Sequence, residues 1–340
     1  MDLSIIFPVY NVEKYIRPSL ESIYRQGIDD RCFEVIIVND GSTDHSMEMI
    51  ADIIQAHSNI TVIHQENQGL SVARNNGIAL AKGKYILMPD SDDILVDNSI
   101  PFLLKQALSS NADLIVADFL RMSNEEISNL STTVIRQDNT MIVEKTGEEM
   151  FLEDLNPIHC YVWRALFRRQ FIINNELSFI PGIYYQDVPF THKCYIKAEK
   201  CIKTNWILNI YRINRIGSAT ESFNKKKALD FCIVIEKTWE LKHLTHQKLI
   251  NKLQDDVFKS FSSLIYFTSH YIKDPDERFE IIEYLKQLVP DLAFNNGIKQ
   301  TVISLMYRVM PHMLVRLRLI YGRICEETII PFFHQYISSK

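Results

Sequence analysis

The chain has 340 residues, 46% of them hydrophobic and 23% charged, with a formal net charge of -5. This balance excludes a disordered or fibrous chain, and the length suits a domain of ordinary size plus a substantial second unit. The mildly negative charge gives no general electrostatic pull toward a polyanion, so nucleic acid is not expected as a partner.

From residue 3 to about 118, short β-rich apolar runs alternate with amphipathic stretches, the pattern of a parallel α/β sheet. The predicted strands are Leu3 to Pro8, Phe33 to Val38, Ile60 to His64, Tyr85 to Met88 and Asp113 to Ala117; helices are predicted at about 12–26, 43–56, 70–81 and 98–109. Ser42-Thr43 is placed to cap the second helix, Gly83 to close the third, and Pro101 falls in the first turn of the fourth. Residues 119–150 are polar and poorly periodic and read as a loop with a weak hairpin. Helical patterns return at about 147–153, 161–175 and 187–199, followed by a strand-like run from Ile202 to Ile213. Beyond Gly217-Ser218 the periodicity is helical throughout, at roughly 225–244, 247–271, 276–288 and 299–322, which puts a domain boundary near 220.

The six cysteines are scattered with no C-x-x-C pair, so they read as reduced core thiols and favour a cytoplasmic compartment. The N-terminus runs straight into a strand without the pattern of a signal peptide. No run approaches the roughly 18 apolar residues of a membrane span. A soluble or peripheral protein is expected.

In open parallel sheets, ligands bind where the strands end at their carboxyl side. Here those positions hold Pro8-Val9-Tyr10-Asn11, Asn39-Asp40-Gly41-Ser42-Thr43-Asp44 and Asp90-Ser91-Asp92-Asp93. Any one acidic turn is more often a helix cap than a site, but three at one sheet edge are not explained by capping. Crowded carboxylates such as Asp90, Asp92 and Asp93 are tolerated mainly around a cation, and hard oxygen ligands imply Mg²⁺ or Mn²⁺. Arg74, one turn into the third helix, has both charge and helix dipole suited to phosphate.

These stretches, together with Gly69 to Gly77, resemble family 2 glycosyltransferases over about residues 1–118, and more weakly to about 220. The resemblance implies a Rossmann-like, mostly parallel sheet flanked by helices (the A-type glycosyltransferase fold), with an all-α C-terminal region. The domain organisation expected is 1–220 catalytic, with 1–118 as nucleotide half and 119–220 as acceptor half, then 221–340 helical. It further implies a nucleoside-diphosphate sugar donor contacted by Pro8, Tyr10, Asn11, Glu13, Asp40, Arg74 and Asp90, a divalent cation on Asp92, and inversion by a carboxylate base. Tyr185-Gln186-Asp187-Val188-Pro189-Phe190 resembles the segment that holds this base, which assigns it to Asp187. Gln186 stands where many relatives have Glu, leaving any second carboxylate in doubt. Trp163, in a segment like the one preceding the base, is a candidate to stack on an acceptor sugar, although an aromatic at such spacing is as often core. Arg212 and Arg215 fall where a loop would close over the diphosphate. The acceptor would be a glycan or a lipid-linked saccharide.

In the tail, apolar positions interleave with Arg308, Arg316, Arg318 and Arg323, so a helix lying on an anionic membrane and a helix packed on the protein are equally compatible, with Pro311 breaking it. Two other enzyme classes fit poorly. A phosphatase using Asp-x-Asp needs that motif after the first strand, and a sugar nucleotidyltransferase needs an N-terminal Gly-rich triphosphate loop. A non-catalytic protein that only holds nucleotide-sugar remains as the alternative.

Overall fold

The computed structural model describes residues 1–130, 137, 139–157, 160–215, 222–294, 297–311 and 313–314. The chain divides into two compact units, the first made of Met1–Met150, Tyr161–Gly182 and Lys197–Arg215. The second contains Phe151–Cys160, Ile183–Ile196 and the described residues from 222 onward. The boundary expected near 220 falls outside the described residues.

The first unit is built on a mixed sheet. Its strands are β1 (Leu3–Val9), β2 (Phe33–Asp40), β3 (Ile60–Gln65), β4 (Tyr85–Leu87), β5 (Ile94–Leu95), β6 (Leu114–Ser123), β7 (Ile142–Lys145), β8 (Ala165–Arg168) and β9 (Cys201–Ile213). They lie in the order β3-β2-β1-β4-β8-β6-β9-β5, with β7 added to β9. The half β3-β2-β1-β4 is parallel throughout, as the alternating pattern requires. The other half mixes antiparallel pairs of β8, β5 and β7 with the parallel pair β6–β9.

The helices of this unit are α1 (Ile16–Tyr24), α2 (Ala51–Ala56), α3 (Leu70–Leu80), α4 (Ser99–Ser110), and the short α5 (Asn124–Ser128), α6 (Gly147–Glu149) and α7 (Arg169–Asn174). Every residue of β1 is buried, so the strand is covered on both faces. Leu3, Ile5, Phe7 and Val9 share a core with Ile16, Leu20 and Ile23 of α1 and with Ile100, Leu103 and Leu104 of α4. Each such side chain contributes about 1.5–3 kcal/mol on leaving water.

Ile6 faces the opposite side, toward α3, and Gly77 lets that helix approach: a Cβ there would stand 2.3 Å from Ile6 Cγ2. Gly83, expected as a helix stop, has a different purpose. The helix ends at Leu80, and Gly83 presses against β1 so closely that a Cβ would lie 2.4 Å from the backbone of Leu3 and Ser4.

Three segments depart from expectation. The stretch 43–56 is helical only from Glu48, because residues 42–46 are engaged with the loop after β1. Residues 119–123 continue β6 instead of forming a loop, because β9 supplies a parallel partner as far as Ser123. The predicted helix 161–175 is a single 3₁₀ turn at Val162–Arg164, then β8, then α7, because Leu166 and Phe167 fill a slot between β4 and β6. A four-residue apolar run reads alike as buried strand or helix.

The second unit contains α8 (Asp187–Lys197), α9 (Lys225–Glu240), α10 (Gln247–Tyr271), α11 (Pro275–Leu288) and α12 (Ile298–Val309). Phe231 and Val234 of α9, Leu253, Val257 and Phe261 of α10, and Ile281 and Leu285 of α11 are buried. α12 ends at Val309, ahead of Pro311, while Arg316, Arg318 and Arg323 lie outside the described residues. Among the described residues no helix is long and apolar enough to cross a membrane, and Cys32, Cys160, Cys194, Cys201 and Cys232 are free thiols.

Replacing Gly83 with Ala forces a methyl against backbone that cannot turn aside, a cost of about 2–3 kcal/mol on the overpacking scale. A denaturation midpoint equal to the wild-type value would show that β1 and the 81–84 turn can separate.

Candidate functional site

Because β1, β2 and β4 are parallel, the loops following Val9, Asp40 and Leu87 emerge at one edge of the sheet. The first two are laced together. Asn11 takes a left-handed conformation (φ 50°), and its Oδ1 accepts from the Thr43 amide at 2.8 Å. Ser42 Oγ accepts from the Asn11 amide, Ser46 Oγ from Val12, and Asp44 from Glu13, while Glu13 accepts in turn from the His45 amide. Pro8 is buried in β1, whereas Tyr10 is 49% exposed at the rim.

Asp40, at the end of β2, is buried, and its carboxylate accepts from Gln65 Nε2 (2.7 Å), the Gln68 amide (2.8 Å) and the Gly69 amide (2.8 Å). It thereby holds the turn that opens α3. On that helix Arg74 is 1% exposed, lies 5.3 Å over the Phe179 ring, and donates to Asp90 Oδ1 at 2.7 Å. The sequence suggested a guanidinium offered to phosphate; the fold turns it inward to orient Asp90.

The acidic motif after β4 is the centre of the arrangement. One carboxylate oxygen each from Asp90, Asp92 and Asp93 lies within 4.8 Å of the others. β5 starts directly after Asp93 and pairs antiparallel with β9, Ile94 against Ile210 and Leu95 against Asn209. This register brings the end of β9 onto the acids. The Arg212 amide donates to Asp93 Oδ1 (2.8 Å), Asn209 Nδ2 to Asp93 Oδ2 (3.3 Å), and Arg212 Nε to the Asp92 carbonyl (2.7 Å). Arg215 Nε stands 2.8 Å from Asp92 Oδ2, and both guanidinium groups lie over the Tyr15 ring, at 4.8 and 5.5 Å. Burial raises the Asp93 carboxyl well above its ordinary value, and the charges of Asp92 and Asp90 push it the same way, against its hydrogen bonds to Arg212 and Asn209.

The donor set fits a hard divalent cation: three carboxylates bring one oxygen each within 4.8 Å of the others. The sequence grouped Asp93 with the acidic cluster but gave it no separate role, and it did not single out Asn209 or Tyr15, which the fold alone brings to the site.

Trp163 requires correction. It is 2% exposed, stacked on Tyr161 (4.7 Å) and Tyr211 (5.5 Å) and meeting Phe119 edge-on (4.9 Å). A ring so enclosed packs the core and offers no face to a sugar. Asp187, in the second unit, occupies the first turn of α8, where the helix dipole favours a carboxylate. It follows Tyr185, held in the left-handed region at φ 59°, an unfavourable backbone for a bulky residue that is typical of functional segments. Between them Gln186 is 5% exposed.

Comparison with known proteins accords with this geometry. The model of Glycosyl transferase family 2 matches residues 4–174. The uncharacterized glycosyltransferase EpsJ of Bacillus subtilis (strain 168) is 33% identical over 261 residues, covering 75% of this chain and 73% of the relative. Among solved structures, S. aureus TarS 1–349 in complex with UDP-GlcNAc superposes with a TM-score of 0.72 at 18% identity, over 95% of this chain and 92% of that one. The mannosyltransferase PcManGT of Pyrobaculum calidifontis, in complex with GDP-Man and Mn²⁺, gives 0.52 at 12% identity over 94% and 87%.

With Arg215 in contact with Asp92, a cation must displace one positive charge to take that oxygen. Removing a unit charge ~4 Å away is worth about 1 kcal/mol in wet surroundings, so Arg215→Met should tighten Mn²⁺ binding about fivefold without nucleotide present. Mn²⁺ should raise the unfolding midpoint of the wild type and leave that of Asp92→Ala unchanged. Weaker binding by R215M than by wild type, measured calorimetrically, would show that Arg215 and cation do not compete.

Proposed function

Because this chain belongs to Glycosyl transferase family 2, we propose that it transfers a sugar with inversion from a nucleoside diphosphate, UDP favoured, to a hydroxyl of a glycan or lipid-linked saccharide in cell-surface polysaccharide synthesis. The observation that carries this reading is the group Asp90, Asp92 and Asp93 at the edge where β1, β2 and β4 end. The preference for UDP draws on the bound donor of TarS, and that for Mn²⁺ or Mg²⁺ on the oxygen donor set and on the Mn²⁺ of PcManGT.

In this proposal Asp92, aided by Asp90 and Asp93, holds the cation, which when bound neutralises charge growing on the departing diphosphate. Tyr10, at the rim of the site, borders the base, with Pro8 and Asn11 shaping that wall, and Glu13 and Asp40 fixing the loops that form it. Arg74 holds Asp90 toward the ribose. Arg215, released from Asp92, turns to the diphosphate. Asp187 takes the proton of the acceptor hydroxyl as that oxygen attacks the anomeric carbon opposite the leaving group. Residues 1–118 then serve the nucleotide, 119–220 the acceptor, and 221–340 form the helical region.

The helical region adds a place of work. On α12, Ile298 is 85% exposed, Val302 49%, Leu305 61% and Val309 64%, a spacing that sets all four on one face. From 292 to 325 the sequence has Lys299, Arg308, Arg316, Arg318 and Arg323 and no Asp or Glu, although the whole chain is at -5. An apolar face on a helix that includes Lys299 and Arg308, within a stretch of sequence free of acids, suits an anionic bilayer, whereas a second copy would set like charges against each other. The site of action is thus the cytoplasmic face of a membrane, near lipid-linked acceptors.

Asp187→Asn should lower transfer by about 10²–10⁴-fold, the usual worth of a general base, with UDP binding in the presence of Mn²⁺ unchanged. Transfer at the wild-type rate would remove Asp187 from the role. The Val302→Glu, Leu305→Glu double variant should no longer sediment with phosphatidylglycerol vesicles that retain the wild type. A wild type that ignores such vesicles, or dimerises through this face by light scattering, would end the membrane assignment.

A further inference from the structure

The helix that begins at Asp187 sets a buried histidine against a buried aspartate, a pairing that neither donor chemistry nor apolar packing calls for. His192, on α8, and Asp256, on α10, are both 0% exposed. A pair of well-packed apolar side chains in their place would usually be as stable or more so. The pair therefore calls for another reason.

Its geometry supplies one. His192 Nδ1 lies 2.7 Å from the carbonyl oxygen of Val188, the residue directly after Asp187. A carbonyl only accepts, so Nδ1 bears a proton. Nε2 lies 3.6 Å from Asp256 Oδ2. Burial alone would raise the Asp256 carboxyl, but His192 and Lys252 beside it more than offset this and hold it below its ordinary value. It is thus a carboxylate; the ring donates through Nδ1 to the Val188 carbonyl, while Nε2 faces the Asp256 carboxylate without a hydrogen bond.

The other groups facing the pair are Lys252, at 2.5 Å from Asp256 Oδ2, Lys259, at 3.5 Å from Oδ1, and the Cys160 thiol, at 3.9 Å from His192 Nδ1. Lys252 also donates to the Leu155 carbonyl, and Thr191 to that of Cys160, so the segment 151–160 is drawn into the same anchor. At the other end of the turn, the Tyr184 amide donates to Asp230 of α9. The first turn of α8 is therefore held by polar contacts of fixed direction.

We propose that His192 and Asp256 are positioning residues for Asp187, fixing the rotation and axial placement of the first turn of α8 against α10. This rests on Asp187 as the base. Apolar packing resists separation but tolerates sliding and turning, whereas a ring hydrogen-bonded at Nδ1 to its own first turn, with Nε2 set against a carboxylate of α10, favours one rotation. A carboxylate that must meet one hydroxyl proton depends on that difference, since a shift of about 1 Å at a reacting group can cost about 10²-fold in rate.

The test compares His192→Leu, Asp256→Leu, the double variant and His192→Gln. The readouts are unfolding midpoint, UDP affinity with Mn²⁺, and kcat and KM for hydrolysis of UDP-GlcNAc, or of whichever UDP-sugar the protein binds most tightly, with water as acceptor. Asp256→Leu leaves the Lys252 ammonium without its carboxylate and should lower the midpoint by several degrees, in the double variant as well, whereas His192→Leu keeps the Asp256–Lys252 pair and should hold a midpoint near that of the wild type. The expected signature is that the folded His192→Leu variant has kcat reduced about 10–100-fold, with donor KM and UDP affinity within about twofold of wild type. His192→Gln, whose amide can reach Asp256, should fold normally and regain part of the rate. A stable His192→Leu variant with wild-type kcat, while Asp187→Asn is inert, would overturn the positioning role alone. A fully active Asp187→Asn would overturn the base and its positioning together. Should His192→Leu fold only in part, a His192→Gln protein with wild-type kcat and a Leu variant whose apparent kcat falls only in proportion to folded fraction, at unchanged KM, would overturn it as well.

Discussion

Mutual repulsion of carboxylates at the end of β4 is the constraint around which the first unit is arranged. Asp90, Asp92 and Asp93 are brought within a few ångströms by the chain itself, and each is answered from a different element: Arg74 from α3, Arg215 from beyond β9, and the Arg212 amide with Asn209 from β9. Burying a carboxylate without compensation is costly. The elements that supply compensation are thus tied to the site's position, and even so burial, together with the charges of Asp92 and Asp90, keeps the Asp93 carboxyl well above its ordinary value. Carboxylate oxygens gathered this closely form a donor set suited to a hard cation.

Around that centre, polar side chains stiffen loops more than they await ligands. Asp40 gives its carboxylate to the turn at 65–69, Asn11, Glu13 and Asp44 lace the loops after β1 and β2, and Arg74 is held inside. A loop fixed in this way loses little freedom on meeting a ligand, so more of the contact energy remains for affinity. Residues like these fix the shape of the wall at this edge of the sheet, and Tyr10 at the rim is 49% exposed.

The second unit applies the same principle on helices. α8 starts after a left-handed Tyr185 and is gripped through His192 and Asp256 to α10, while Asp230 of α9 takes the Tyr184 amide. Polar contacts inside a helical layer add direction where apolar contacts add cohesion. α12 stands apart, with its buried side sealed by Tyr307 and Ser304 and its outer side apolar.

The sequence alone determined the parallel half of the sheet, since a strand buried on both faces must be written as an unbroken apolar run and its crossover helix as an amphipathic one. It also determined the acidic edge, because Asp40 and Asp90 to Asp93 follow those strands directly in the chain, and it placed the long helices beyond 222, where periodicity persists over several turns. What only the tertiary structure decided were the pairings between distant segments. β8 and the end of β6 are strands because β4 and β9 lie beside them, Trp163 is core because Tyr161 and Tyr211 close over it, and Arg212 reaches Asp93 because β5 and β9 pair in one register. Local periodicity records which face a residue turns inward; it does not record what stands opposite, and the partner opposite decides whether a side chain packs, bridges or binds.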